Sequence, residues 1–281
     1  MSSDPLHIRF GDVAAQIYCE DRGLYRSLRH HFRHCLGQTA AVLLTYRITT
    51  DEALVVHLRH DGDEYLYRGR HSPYLIQHLI HELTKALADH CRDHLVFHAA
   101  GLACGENGLI LLGGSGSGKS TLAAWLTASG LDFLTDEVVA VPYGVRDMIG
   151  LPRPIGLKTG SEFVWQQRLD ANARQRMTHF PDGAVLVDPE LLRSNCVRAS
   201  ASPHILLFPS YAPGEPFVVQ SLSPALALFS LLKHAINPQH LPGQGFRAAT
   251  RLARQTTAYS LTYSDVATVA AWIEQVSGPP C

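Results

Sequence analysis

Opposite charges nearly cancel in this 281-residue chain, leaving a net charge of −1. It therefore has no basic field with which to gather nucleic acid or an anionic membrane surface. No apolar stretch approaches the roughly 18 residues that cross a bilayer. The start, Met1-Ser2-Ser3-Asp4-Pro5, has neither the basic nor the apolar segment of a secretory signal. Six cysteines (Cys19, Cys35, Cys91, Cys104, Cys196 and Cys281) are scattered without a C-x-x-C pair, and they read as free thiols in a reducing compartment. The expectation is a cytoplasmic protein with neither nucleic acid nor membrane as partner. Internal repeats and low-complexity linkers are missing as well. Charged residues are 17% against 46% hydrophobic, which excludes a disordered chain and supplies a substantial core.

What is present is a glycine loop. Gly113-Gly114-Ser115-Gly116-Ser117-Gly118-Lys119-Ser120 satisfies the Walker A pattern G-x-x-x-x-G-K-[ST], with Thr121 following. The apolar run Gly108 to Leu112 before it reads as a buried strand, and Ser120 to Ser129 reads as a helix. Glycines let backbone N–H groups turn inward around a phosphate, and a helix N-terminus adds partial positive charge. In such a loop Lys119 would reach the β- and γ-phosphates and the Ser120 hydroxyl would hold Mg²⁺. The expected ligands are ATP and Mg²⁺, bound by Gly113 through Thr121.

The length exceeds the typical domain of about 100–200 residues, and the patterning divides near residue 92. Residues 1–92 read as a small α+β module. A hairpin turns at Gly11-Asp12, a helix runs from Arg22 to Leu36, and strands cover Ala41–Ile48, Ala53–Leu58 and Glu64–Arg68. A turn at Asp61-Gly62-Asp63 separates the last two, and Tyr74–His90 has helical spacing. Residues 93–281 carry the loop within alternating strands and helices, an α/β layered domain. Its helices include Ser223–Ile236 and Ser264–Val276, the latter with Ser264 as N-cap. His90, His94 and His98 have i, i+4, i+8 spacing, but Leu95-Val96-Phe97 between them reads as strand, so a zinc site on one helix face is not expected.

Phosphoryl transfer needs a metal ligand, an aligned nucleophile and a base for its proton. Asp136 and Glu137 follow an apolar segment soon after the loop. Adjacent carboxylates of this kind divide labour between metal and hydroxyl, unless they are a solvated pair at a turn. Arg153 and Lys158 are the basic pair of a Pro/Gly-rich segment. They are candidate contacts to phosphate or acceptor, or else solvated loop charges.

The segment from about 95 to 160 resembles the HPr kinase/phosphorylase family, most closely its HPr kinase-related (kinase A-like, lasso-peptide-associated) relatives. The likeness is carried by Phe97-His98-Ala99-Ala100-Gly101-Leu102, by the loop, by Leu134-Thr135-Asp136-Glu137 and by Leu151-Pro152-Arg153-Pro154-Ile155-Gly156-Leu157-Lys158. Phe208-Pro209-Ser210-Tyr211 and Tyr263-Ser264 are compatible with the same relatives. The resemblance implies a P-loop kinase domain of the HPr kinase/phosphoenolpyruvate carboxykinase type. It implies His98 near the γ-phosphate, Asp136 as general base on an acceptor serine, Glu137 near the metal and Lys119 on the transferring group. His98 by itself reads equally as a histidine satisfied at a strand end. Gly150 to Lys158 lacks the carboxylate of the bifunctional enzymes' signature segment, which points to a one-way kinase with its own acceptor.

The expected function is ATP-dependent transfer of phosphate to a serine-type hydroxyl of a small protein or peptide, a ribosomally made precursor peptide among the candidates. Homo-oligomers are common among such relatives. A small-metabolite or sugar kinase uses the same parts and is an alternative. A transport or switch ATPase is the other, weakened by the absence of a Leu-Ser-Gly-Gly signature and by the early position of the acidic pair.

Overall fold

A computed structural model describes residues 4–37, 42–50, 55–60, 64–70, 73–143 and 147–277. The chain forms two compact units, Met1–Cys91 and Arg92–Cys281.

The first unit opens with a hairpin of β1 (Leu6–Phe10) and β2 (Val13–Cys19), turned at Gly11 with φ 59°. Leu6, Ile8 and Phe10 are buried and Arg9 is exposed, the period of a half-covered strand. In α1 (Arg22–His31) the Asp21 side chain accepts the Leu24 N–H at 2.7 Å. The helix ends short of the expected Leu36. Phe32 and Cys35 turn inward to be buried, and the Cys35 carbonyl accepts the Arg9 N–H at 3.0 Å. β3 (Val42–Thr50) lies parallel to β2, and β4 (Val55–His60) and β5 (Glu64–Arg70) complete a five-stranded sheet in sequence order. The turn expected at Asp61–Asp63 lies outside the described residues. α2 (Pro73–His90) buries Leu75, Ile76, Leu79, Ile80, Leu83 and Leu87, a helical stripe laid on β1 and β2.

The second unit is built around β6 (His94–Cys104). Because α2 ends at His90 and a strand begins at His94, the three spaced histidines share no helix face. On one edge β6 pairs antiparallel with β8 (Asp132–Thr135) and β9 (Val138–Pro142); on the other it pairs with β7 (Asn107–Leu112). β14 (Ser200–Tyr211) runs parallel to β7, β16 (Thr257–Tyr263) runs parallel to β14, and β15 (Val218–Leu222) closes that edge antiparallel. The short β10 (Met148–Gly150) pairs with both β9 and β14.

The two faces of this sheet are both covered, and strand parity assigns residues to them. Ala100, Leu102, Leu109, Leu111, Ile205 and Leu207 pack with α3 (Lys119–Ala128), α4 (Glu162–Arg168) and α9 (Val266–Ser277). Ala99, Ala103, Ile110, Leu112 and Leu206 pack with α7 (Pro224–His234) and α8 (Phe246–Gln255). Burial on both sides is why β7 reads as a continuous apolar run rather than an alternating one. A small sheet of β11 (Ile155–Leu157), β13 (Val185–Val187) and β12 (Thr178–His179) joins the first layer, with short helices α5 (Ala171–Gln175) and α6 (Pro189–Leu192).

Three expectations differ from the structure. Asp265, not Ser264, caps α9: its Oδ2 accepts the Thr268 N–H at 2.8 Å, whereas the Ser264 hydroxyl donates to the Glu215 carbonyl at 2.9 Å. A carboxylate one residue nearer the helix simply reaches the free N–H groups better. α7 ends at His234 rather than the expected Ile236, because Ala235 and Ile236 pair with β6 instead. Cys19, Cys35, Cys91 and Cys196 are buried thiols, but Cys104 is disulfide-bonded, which local spacing does not signal.

Candidate active site

The glycine loop leaves the carboxyl end of β7, where ligand crevices of open α/β sheets form. Its turn is closed by the Ser117 N–H donating to the Gly114 carbonyl at 3.3 Å. Gly118 takes φ 86° and is the N-cap of α3, with no side chain capping the helix. The first N–H groups of a helix lack internal partners, so this end presents backbone donors and the positive pole of the helix. Gly114, Ser115 and Gly116 are exposed, and Ser120 and Thr121 are half-buried. The Thr121 hydroxyl lies 2.8 Å from that of Ser161 at the head of α4, pinning α3 from its outer side.

Lys119 is folded back into the loop. Its Nζ donates to the Gly113 carbonyl at 2.6 Å and the Gly114 carbonyl at 3.2 Å, and the side chain is almost fully buried. Burial lowers its pKa, Glu137 and Asp136 work to raise it, and Lys158 adds to the lowering. Lys158 itself is exposed.

The acidic pair forms the kink between β8 and β9. Thr135 Oγ1 accepts the N–H groups of both Glu137 and Val138 at 3.3 Å, and the Glu137 carbonyl accepts the Ala99 N–H at 3.0 Å. This bend holds the two carboxylates beside β6 and points them to one place. Arg153 stands between them: Nη2 is 2.7 Å from Glu137 Oε2 and 3.7 Å from Asp136 Oδ1. His98 Nδ1 lies 3.5 Å from Glu137 Oε1. Asp136 is buried, with Oδ2 accepting the Gly156 N–H at 3.3 Å and Oδ1 lacking a hydrogen-bond partner. Burial raises its pKa, opposed by the Arg153 guanidinium and assisted by the Glu137 charge.

Close backbone approach brings Arg153 there. A Cβ on Gly150 would stand 2.4 Å from the Leu134 carbonyl oxygen, so only glycine lets β10 press against β8 and carry the next residues over the kink. Of the two basic candidates, then, Arg153 is a buried partner of the carboxylates and Lys158 is a solvent-exposed charge.

Two tyrosines and a histidine complete the surroundings. The Tyr211 N–H donates to the Ser117 carbonyl at 3.3 Å, and the Tyr263 hydroxyl lies 3.5 Å from the same oxygen. Their rings meet edge to face with centroids 5.6 Å apart. Burial raises the Tyr263 hydroxyl's pKa, so it stays a neutral donor. His234, at the end of α7, feels the charges of Lys119 and His98. Nothing in its sequence neighbourhood marked it, because it reaches the loop only through the pairing of the segment that follows it.

The structure thus brings Lys119, Asp136, Glu137, His98 and Arg153 into one electrostatically connected group beside the glycine loop. Chemically, it offers backbone and lysine donors for an anion, a carboxylate that prefers its proton more than usual, and a second, partly exposed carboxylate that Arg153 and His98 already engage.

No family model matches the chain, and no curated protein matches it. Among solved structures, the Hpr(Ser) kinase/phosphatase from Coxiella burnetii aligns over 64% of this chain and 92% of its own, with a TM-score of 0.32 and 12% identity. Among the described residues no helix is long and apolar enough to cross a membrane.

Proposed function

We propose that this chain is an ATP-dependent kinase that transfers the γ-phosphate to a serine-type hydroxyl of a small protein or peptide. The observation that carries the reading is the meeting of Arg153, Asp136, Glu137 and His98 next to Lys119 and the uncapped start of α3.

The residues fit a nucleotide. Lys119 Nζ spends its hydrogen bonds on two loop carbonyls, a position from which it would swing to phosphate oxygens. The exposed stretch Gly114–Gly116 and the start of α3 would cradle the phosphates. They also fit a divalent cation: Ser120 and Glu137 are the oxygen donors that would hold Mg²⁺. When bound, Mg²⁺ offsets negative charge on the phosphates.

Asp136 would act as the base. A serine hydroxyl is a poor nucleophile at neutral pH, and a buried carboxylate with a raised pKa and a free Oδ1 is suited to take its proton. The hydroxyl oxygen then bonds to the γ-phosphorus as the bond to the β-phosphate oxygen breaks. ADP departs with that electron pair, and Asp136 keeps the proton until solvent removes it. Arg153 would hold both carboxylates in place, and Lys119 would offset charge as it develops on the transferring group.

The test is incubation with γ-phosphate-labelled ATP, Mg²⁺ and a cell extract, followed by phosphoamino-acid analysis. The reading expects acid-stable phosphoserine from the native protein and none from Asp136→Asn. Equal labelling by the two proteins removes Asp136 as base.

A further inference from the structure

The edge of β6 changes partner at His98. On one side of that point β7 pairs with β6, ending at Ala99↔Leu112. On the other, the chain leaving α7 takes over the edge: Phe97 bridges Ala235 antiparallel, and the Ile236 N–H donates to the Val96 carbonyl at 2.8 Å. Asn237 fixes this arrangement from a fully buried position. Its Oδ1 accepts the Val96 N–H at 2.9 Å and its Nδ2 donates to the His94 carbonyl at 3.0 Å.

An antiparallel bridge at Phe97 and Ala235 places the preceding residue of one strand opposite the following residue of the other. His234, the last residue of α7, therefore lies beside His98 on this edge. On the same edge of β6, β7 departs at Leu112 into Gly113, the residue whose carbonyl Lys119 holds. His234 and His98 thus adjoin the point where β6 gives up β7 and the loop begins, and His234 feels the charge of Lys119.

We propose that His234 contacts the terminal phosphate of the bound nucleoside triphosphate, opposite His98. This rests on the reading of the loop as a triphosphate site. The charges that act on His234 are those of Lys119 from α3 and His98 from β6, with Lys233 beside it on its own helix. Burial and these three charges lower its pKa, so the free protein holds it neutral. A neutral imidazole donates from one nitrogen, and a phosphate oxygen is a strong acceptor for it. Asn237 shows why α7 stops where it does: the anchor on β6 terminates the helix at the residue that must face the loop.

The experiment is calorimetric titration of the full chain with ATP, and separately with ADP, in the presence of Mg²⁺. His234→Ala is expected to weaken ATP about tenfold, the scale of one hydrogen bond to a charged group, and to leave ADP within about twofold. His234→Gln, which restores an N–H donor and guards against a folding defect, is expected to recover part of the loss. Lys233→Ala, whose ammonium lies over the Phe229 ring, serves as the neighbouring control and is expected to bind both as the native protein does. Unchanged ATP affinity in His234→Ala overturns the proposal, and so does an equal loss of ATP and ADP. Native protein that binds neither nucleotide overturns the triphosphate site itself, a distinct result.

Discussion

The Arg153 guanidinium donates to Glu137 Oε2 at 2.7 Å while its other neighbour, Asp136, is buried. Removing one partner of a buried ionic group costs far more than the group contributes, because the remaining charge is left uncompensated. Arg153→Ala is expected to destabilise the second unit by about 3 kcal/mol at neutral pH, measured by denaturant unfolding. The loss should shrink in acid. Asp136 has its folded pKa raised above the unfolded value, so its contribution is fully present below the unfolded pKa and is lost as pH rises through the folded one. Without Arg153 that folded value rises further, and the deficit of the variant should therefore grow from acid toward neutral pH.

Asp136→Asn isolates the cost of keeping a buried carboxylate. The variant removes a charge that burial penalises more than Arg153 compensates. At pH 7.5 its Tm is expected to equal or exceed that of the native protein, with the difference narrowing as pH falls through the raised folded pKa. Phosphate transfer should be abolished at every pH. Stability held at the expense of function is the pattern of a working active-site carboxylate.

Gly118 combines φ 86° with a near neighbour: a Cβ there would stand 2.1 Å from the Tyr263 hydroxyl oxygen. Gly118→Ala therefore faces left-handed backbone strain of about 1–2 kcal/mol and a displaced Tyr263. We expect a lower melting temperature and a loss of ATP affinity together. In Gly118→Ala/Tyr263→Phe part of the melting temperature should return, while the backbone strain keeps ATP binding weak.

The cap of α9 separates two adjacent residues. Asp265→Ala should cost about 1 kcal/mol, the usual worth of an N-cap, and Ser264→Ala measurably less. Hydrogen bonds from Thr268 lower the pKa of Asp265. Its contribution should therefore be present above the unfolded carboxylate value and fade as pH falls through the depressed folded one. Thermal melts of both variants at pH 7 and pH 3 check this.

How much of this was legible in the sequence varies with how local each signal is. The loop, its flanking strand and helix, and the acidic pair are contiguous patterns. Arg153 was ambiguous because its meaning depends on Gly150 touching the Leu134 backbone, a contact no local pattern encodes. α8 carried a local signal that was passed over, with Ala248, Ala249, Leu252 and Ala253 buried on one face and Arg247, Arg251 and Arg254 exposed on the other. His234 was invisible because its position follows from the register of Phe97 with Ala235, a pairing between residues distant in sequence.

The most direct test of phosphoryl transfer is the fate of the γ-phosphate when the protein is incubated with labelled ATP, Mg²⁺ and an acceptor-containing extract. The account predicts label accumulating in serine phosphoester, dependent on Asp136 and Lys119, with little free phosphate released. Label appearing only as inorganic phosphate, at the same rate with or without extract, would contradict it.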